Sequence, residues 1–124
     1  MSKVIQEWIR KADSDWRTAN LIWESPEPNY DAVCFHTQQC VEKLMKALLI
    51  LREKVPPYTH NLVSLNESLK EVYAEWIAEP EDLQMLTLGA TAYRYPGDDA
   101  TAQDAENCLR IADQLRARAL TLLS

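Results

Sequence analysis

Apolar residues recur along this chain every three or four positions, the spacing that places side chains on one face of an α-helix. Five stretches show this pattern, and no stretch of useful length alternates between apolar and polar residues as a strand would. Prolines follow the first two stretches: Pro26 and Pro28, then Pro56 and Pro57. The predicted helices cover residues 4–23, 30–54, 61–76, 80 to the Tyr95-Pro96-Gly97 segment, and 101–123.

Two predicted helix starts carry suitable residues. Asn61 precedes the third helix, and asparagine is a favoured N-cap residue. Pro80 begins the fourth helix and is followed by two acidic residues, which suit the positive end of a helix. We therefore predict an all-α fold, an antiparallel up-and-down bundle of four to five helices, in a single domain that spans residues 1–124.

Two apolar residues of the second helix lie among polar ones. Phe35 and Leu49 fall on the arc that otherwise carries glutamine, glutamate and lysine. Such a position indicates cover by another chain or by another helix of the same chain. We predict that Phe35 and Leu49 lie in or near a contact between two subunits.

Asp15 shows the opposite departure, because it falls on the apolar arc of the first helix. An unpaired buried carboxylate is costly, so Asp15 requires a partner or a place at the edge of the arc. Arg94 stands between two tyrosines and is the obvious candidate. We predict that Asp15 is a structural polar residue that pairs with Arg94.

Composition and charge indicate which classes of protein this chain can belong to. The chain has 124 residues, 47% of them hydrophobic, which suits one globular domain. Its 13 basic and 19 acidic side chains give a net charge of −6, which disfavours broad binding to nucleic acid but allows a local basic patch. There is no apolar run of 18 residues, and the first residues lack an apolar leader segment. We expect a cytoplasmic protein that does not span a membrane.

The three cysteines give little sign of a disulfide framework or a metal centre. Cys34, Cys40 and Cys108 are odd in number and contain no Cys-x-x-Cys pair. His36 and Cys40 share a helix face, but a closed zinc site requires four ligands. We expect buried thiols, no bound metal and no cofactor.

Three segments are dense in groups that carry chemistry. Residues 35–49, FHTQQCVEKLMKALL, bring histidine, glutamine, glutamate and lysine to the middle of a central helix. Residues 59–62, THNL, place His60 just before a helix start, where a capping or packing role is the ordinary one. Residues 93–99, YRYPGDD, hold an arginine between aromatics, a pattern that can stack on a base and bind a phosphate.

Taken together, FHTQQCVEKLMKALL, THNL and AYRYPGD, in this order and spacing, resemble the HEPN domain family. The Ala12-x-x-Asp15-Trp16-x-x-Ala19 spacing of the opening helix is also similar to that family. The resemblance covers about residues 8–120, and residues 35–49 are its most specific part. It implies an all-α up-and-down bundle that is usually a homodimer.

The resemblance also implies partners and ligands. Many family members are encoded beside a minimal nucleotidyltransferase, and the two proteins act as a two-component or toxin–antitoxin-like system. Nucleotide binding has been proposed for the family. A large subset are metal-independent ribonucleases that use an arginine followed, after four to six residues, by a histidine.

The ribonuclease pattern is incomplete in this chain. Arg94 matches the arginine, but positions 99–101 hold Asp99, Ala100 and Thr101. The chain's two histidines, His36 and His60, lie upstream. The expected acid–base group is therefore missing, unless one of those histidines approaches Arg94 in space.

Three hypotheses follow. The first is a non-catalytic dimeric module that binds a nucleotidyltransferase partner or a nucleotide. The second is a ribonuclease toxin in which Arg94 binds phosphate and His36 or His60 transfers protons. The third is a purely structural dimeric bundle in which Asp15, Arg94 and His36 form a buried polar network. In the first hypothesis the nucleotide- or partner-binding residues are His36, Gln39, Lys43, Lys46, Arg94 and Tyr95.

Overall fold

The computed structural model describes residues 2–124 and confirms the all-α fold. Within this range there are five α-helices, one short 3₁₀ helix and no strand. No helix in the range is both long enough and apolar enough to cross a membrane. The elements are α1 (Lys3–Trp23), α2 (Tyr30–Leu51), α3 (Leu62–Lys70), α4 (Pro80–Ala90), the 3₁₀ helix Ala92–Arg94 and α5 (Ala102–Leu123).

The central helix of the bundle is α2, which packs against all four other α-helices. Contacts of Asp15 with Lys43 and of Trp8 with Lys46 show that α1 runs antiparallel to α2. Gly89, near the end of α4, lies beside Cys34, near the start of α2, so these two helices are also antiparallel. The predicted up-and-down course is confirmed.

The second helix ends earlier than the predicted boundary at residue 54. Lys54 N–H donates to the carbonyl of Leu49 at 2.9 Å, and Glu53 N–H donates to that of Ile50 at 2.9 Å. These two bonds form a Schellman motif, which requires a left-handed residue after the helix. Glu53 has this conformation, with φ of 60°. A glutamate therefore occupies a position that glycine fills most easily, which is why the sequence did not show the end of the helix.

We expect Glu53→Gly to raise the free energy of unfolding by roughly 1 kcal/mol, because it removes the Cβ that disfavours the left-handed region. Urea denaturation of the purified protein measures this change. Lys54→Gly is the matched control, because Lys54 is also exposed but has no positive φ. An equal or lower stability of Glu53→Gly would contradict the assignment of strain to this residue.

The third helix ends at Lys70 rather than at residue 76. Two buried aromatic residues, Tyr73 and Trp76, follow the end of α3, and each donates a side-chain hydrogen bond. Tyr73 donates its hydroxyl to the carbonyl of Leu48 at 2.6 Å, and Trp76 donates its indole N–H to Asn66 Oδ1 at 2.8 Å. These contacts with other parts of the bundle replace the helix that periodicity predicted. The fourth helix likewise ends early, at Ala90, before the 3₁₀ turn.

The prediction for the two unusual apolar residues of α2 is wrong for Leu49. Leu49 is fully buried within the single chain, because α3 and the following turns cover this end of α2. Its side chain is therefore not available to a second subunit. Phe35 is half-buried at the other end of α2. Its place in a subunit contact stays a prediction.

All three cysteines are free and buried. A hydrogen bond to Cys108 and burial raise the pKa of the Cys34 thiol, and burial raises the pKa of Cys40 to about 12. Both thiols are therefore protonated at neutral pH and pack as small apolar groups. Across residues 2–124, no group of three or more histidine, cysteine or acidic residues is placed to hold a metal ion.

Candidate functional site

The site begins where α1 and α2 run side by side. Asp15 of α1 is buried, and its two carboxylate oxygens accept from two residues of α2. His36 Nδ1 lies 2.9 Å from Asp15 Oδ1, and the Lys43 ammonium contacts Oδ2. The carboxylate is thus neutralised by one lysine and oriented by one histidine. This arrangement confirms that Asp15 has polar partners on the apolar side of α1.

The predicted pair between Asp15 and Arg94 is wrong. The face of α1 that carries Asp15 packs on α2, so His36 and Lys43 reach the carboxylate. Arg94 instead follows α4 and is exposed. The buried polar network of the structural hypothesis therefore contains Asp15, His36 and Lys43, without Arg94.

A second carboxylate, that of Glu42 on α2, is contacted by three side-chain donors. Its Oε1 accepts from Gln38 Nε2 at 3.0 Å and lies 2.9 Å from His60 Nδ1. Its Oε2 accepts from the Lys46 ammonium at 3.2 Å. Gln38 also donates to the backbone carbonyl of His60 at 2.9 Å, which fastens the segment before α3 to α2. Gln39 joins this cluster by donating to Gln38 Oε1 at 2.8 Å.

Periodicity missed this cluster. Gln38 and Glu42 belong to the polar arc of α2, which suggests solvent exposure. In the structure Gln38 is fully buried and Glu42 is 4% exposed, because the His60 segment lies over them. The signal in the sequence was the apolar Leu49 on the same arc, which indicated that the arc is covered.

The two histidines share one geometry. Each directs Nδ1 at a carboxylate, so Nε2 is the ring nitrogen left for another partner. A carboxylate on Nδ1 orients the ring, as in histidines that transfer protons. The His36 side chain is 27% exposed and that of His60 is 65% exposed. Both imidazoles are therefore accessible to a ligand.

Arg94 lies beside Phe35, which is the neighbour of His36 on α2. Its guanidinium carbon is 5.2 Å from the centroid of the Phe35 ring, and Phe35 meets His36 edge-on with centroids 5.2 Å apart. Arg94 forms no ion pair with any residue in the range 2–124. A surface cavity of about 310 Å³ opens beside it, lined by Asn29, Asp31, Ala32, Phe35, Tyr93 and Arg94.

Tyr93, in the wall of this cavity, supplies a neutral hydroxyl. Burial, with the nearby Asp104 carboxylate, raises the pKa of Tyr93 to about 12. Tyr95 points away from the core and is 67% exposed. The structure thus brings together Phe35, His36 and Arg94, and Tyr95 is not among the residues that line the cavity.

Gly89 explains how Arg94 reaches Phe35. A Cβ built on Gly89 would lie 2.2 Å from the carbonyl oxygen of Cys34. Only a glycine permits α4 to approach the backbone of α2 this closely. The 3₁₀ helix that carries Arg94 begins at Ala92, directly after this contact.

Two of the three positions where the ribonuclease histidine is expected have structural roles. Thr101 caps α5 and forms a capping box with Asp104. Ala100 N–H donates to Asp31 Oδ1 at 2.7 Å, which ties the segment to the start of α2. Asp99 is exposed. No residue at these positions replaces the missing imidazole.

Comparison with known proteins agrees with this architecture. The family model of the HEPN domain matches residues 5–121. A protein of Methanocaldococcus jannaschii named "Putative toxin MJ1304" is 28% identical, over 91% of this chain and 84% of that protein.

Two crystal structures share the fold. The Thermus thermophilus protein TT1696 superposes with a TM-score of 0.79 at 20% identity, covering 98% of this chain and 99% of that one. The archaeal HEPN homologue ST0689 gives a TM-score of 0.70 at 24% identity, covering both chains fully. The family model matches nearly the whole chain, and the structure is the helical bundle that the sequence predicts. This chain therefore belongs to the HEPN domain family.

Proposed function

We propose that this HEPN protein is a dimeric, non-catalytic module that binds the phosphate of a nucleotide or RNA, within a two-protein, toxin–antitoxin-like system. One observation carries the proposal: Arg94 presents an exposed guanidinium without a carboxylate partner in residues 2–124, stacked on Phe35 beside His36. Guanidinium groups in this state bind phosphate with two parallel hydrogen bonds. The name of the relative MJ1304 supports the toxin side of the proposal.

The surrounding side chains suit a phosphate ligand to different degrees. His36 offers Nε2 and Tyr95 is an exposed neighbour of Arg94 in the sequence, whereas Gln39 donates to Gln38 in the Glu42 cluster. Lys43 and Lys46 already neutralise Asp15 and Glu42, so they contribute less net charge than the sequence suggested. Arg94 is therefore the principal anion-binding residue of the proposal.

Calorimetric titration with AMP tests the phosphate site. We expect Arg94→Ala to weaken binding by about tenfold or more, since a hydrogen bond to a charged group contributes about 1.5–3 kcal/mol. Arg110→Ala is the matched control, because Arg110 is exposed on α5 and has no ion pair within the described part of the chain. Equal affinity of the wild type and Arg94→Ala would refute the role of Arg94.

A ribonuclease is the second candidate function, favoured by the orientation of the histidines. With Nδ1 held by a carboxylate, His36 or His60 has the arrangement of a general acid–base group. His36 and Arg94 both contact the ring of Phe35. Incubation of mixed RNA with the protein in EDTA distinguishes the two functions. If the wild type cleaves RNA and neither Arg94→Ala nor His36→Ala does, the protein is a nuclease rather than a non-catalytic binding module.

The subunit contact belongs to the same proposal. Phe35 is a half-buried aromatic residue at the surface that also carries Arg94. We expect Phe35→Glu to convert a dimer to a monomer in sedimentation velocity, because a charge in an apolar contact is unfavourable. Leu88→Glu is the control, since Leu88 is exposed on α4. An unchanged dimer would place the subunit contact elsewhere.

The nucleotidyltransferase partner and the cytoplasmic location complete the proposal. The net charge of −6 suits association with a basic partner surface. Where a nucleotidyltransferase is encoded next to this protein, co-expression of the two, followed by purification through one partner, tests the pair. Separate elution of the two proteins would remove the partner from the proposal.

A further inference from the structure

A groove runs along the first half of α1, outside the site around Arg94. It encloses about 490 Å³ and is lined by Lys3, Val4, Glu7, Trp8 and Lys11. Val4 is 56% exposed, and Trp8 is half-buried against the core. The floor of the groove is thus an apolar surface that includes an indole ring.

Positive charge surrounds this groove although the chain is acidic. Lys3 and Lys11 are exposed and form no ion pair in residues 2–124. The one acidic residue of the lining, Glu7, is paired with Arg10. The Lys46 ammonium lies 5.9 Å from the centroid of the Trp8 ring, but it pairs with Glu42, so the unpaired positive charge of the groove comes from Lys3 and Lys11. An aromatic ring among ammonium groups is the combination that binds single-stranded nucleic acid.

The groove continues the surface of the phosphate site. Trp8 and Asp15 lie seven residues apart on the same face of α1, which is roughly 10 Å along the helix axis. On α2, Phe35 and Lys46 are eleven residues apart and therefore roughly 16 Å apart. A stacked strand rises about 3.4 Å per nucleotide, so about five nucleotides span the distance along α2 from Phe35, which contacts Arg94, to Lys46, which contacts Trp8.

We propose that the Trp8 groove is a base-stacking subsite, which binds one base of a single-stranded RNA whose phosphate lies at Arg94. This inference rests on the proposed phosphate site and names its ligand as an oligonucleotide. The groove beside Trp16 differs in its charge. Its one cationic lining residue, Arg17, pairs with Asp13, whereas Lys3 and Lys11 of the Trp8 groove form no ion pair in residues 2–124.

Fluorescence anisotropy with a labelled eight-nucleotide oligoadenylate, A8, tests the subsite, together with calorimetric titration of AMP. We expect wild-type protein to bind A8 more tightly than AMP. Trp8→Leu is expected to weaken A8 binding about tenfold, the loss of one base stack, and to leave AMP binding unchanged. Lys11→Glu changes an exposed residue and reports on the groove even if Trp8→Leu does not fold.

Trp16→Leu is the matched control, because Trp16 is a half-buried tryptophan of the same helix. Unchanged A8 affinity in both Trp8→Leu and Lys11→Glu would overturn the subsite, and so would A8 binding no tighter than AMP. If the wild type binds neither probe, the phosphate site fails together with the subsite. Loss of a dimer in Lys11→Glu, seen by sedimentation, would reassign the groove to a contact between two copies of the chain.

Discussion

Replacing Gly89 by alanine is expected to lower the free energy of unfolding by about 3 kcal/mol, the upper part of the range for overpacking a core. The added Cβ would lie 2.2 Å from the carbonyl oxygen of Cys34, and backbone of a central helix cannot rotate away as a side chain can. The start of α2 and the end of α4 must then separate. Urea denaturation followed by circular dichroism measures the loss.

The same substitution is expected to weaken binding at the phosphate site. Arg94 follows Gly89 closely, so a shift of α4 moves the guanidinium away from Phe35. Gln84→Ala is the control, because Gln84 is an exposed residue of α4 and its substitution leaves both stability and binding unchanged. Wild-type stability of Gly89→Ala would contradict the close approach of α4 to the backbone of α2.

The second large effect is expected at Glu42. Glu42→Ala should destabilise the protein by about 3 kcal/mol, since removal of one partner leaves buried charged and polar groups without compensation. Gln38 and Lys46 lose their carboxylate, and the His60 segment keeps only the Gln38 bond of the two side-chain bonds that tie it to α2. Thermal and urea denaturation of the variant measure the cost.

Glu106→Ala is the matched control, because Glu106 is exposed on α5, and we expect a change within about 0.5 kcal/mol. Glu42→Gln should lie between the two, because the amide keeps one acceptor but not the charge. A small effect of Glu42→Ala would mean that water replaces the carboxylate, and that the cluster contributes little to stability.

Local patterns predicted most of the fold. The starts of α2, α3 and α4 agree with the predicted starts within one residue, and Asn61 and Pro80 are strong local signals for two of them. The ends of α2 and α3 were predicted too late. Their ends depend on a glutamate in a left-handed conformation and on hydrogen bonds to distant residues, neither of which periodicity contains.

The pairs around Asp15 were predicted only in part. The structural hypothesis placed His36 in one network with Asp15, as the structure has it, but it chose Arg94 rather than Lys43 as the cation beside Asp15. A helical pattern gives the direction of a side chain around the axis of its helix. It does not show which other helix packs against that side. Glu42 was missed as a buried residue for the same reason.

What the sequence by itself determined is the all-α class, the order of the helices, the family and the set of polar residues on α2. These depend on spacing and on residue type, which are local properties. Only the tertiary structure decided that Leu49 is buried within one chain, that Asp15 pairs with His36 and Lys43, and that Arg94 stacks on Phe35. Those outcomes follow from how closely helices approach one another, as at Gly89, where the absence of one Cβ sets the distance.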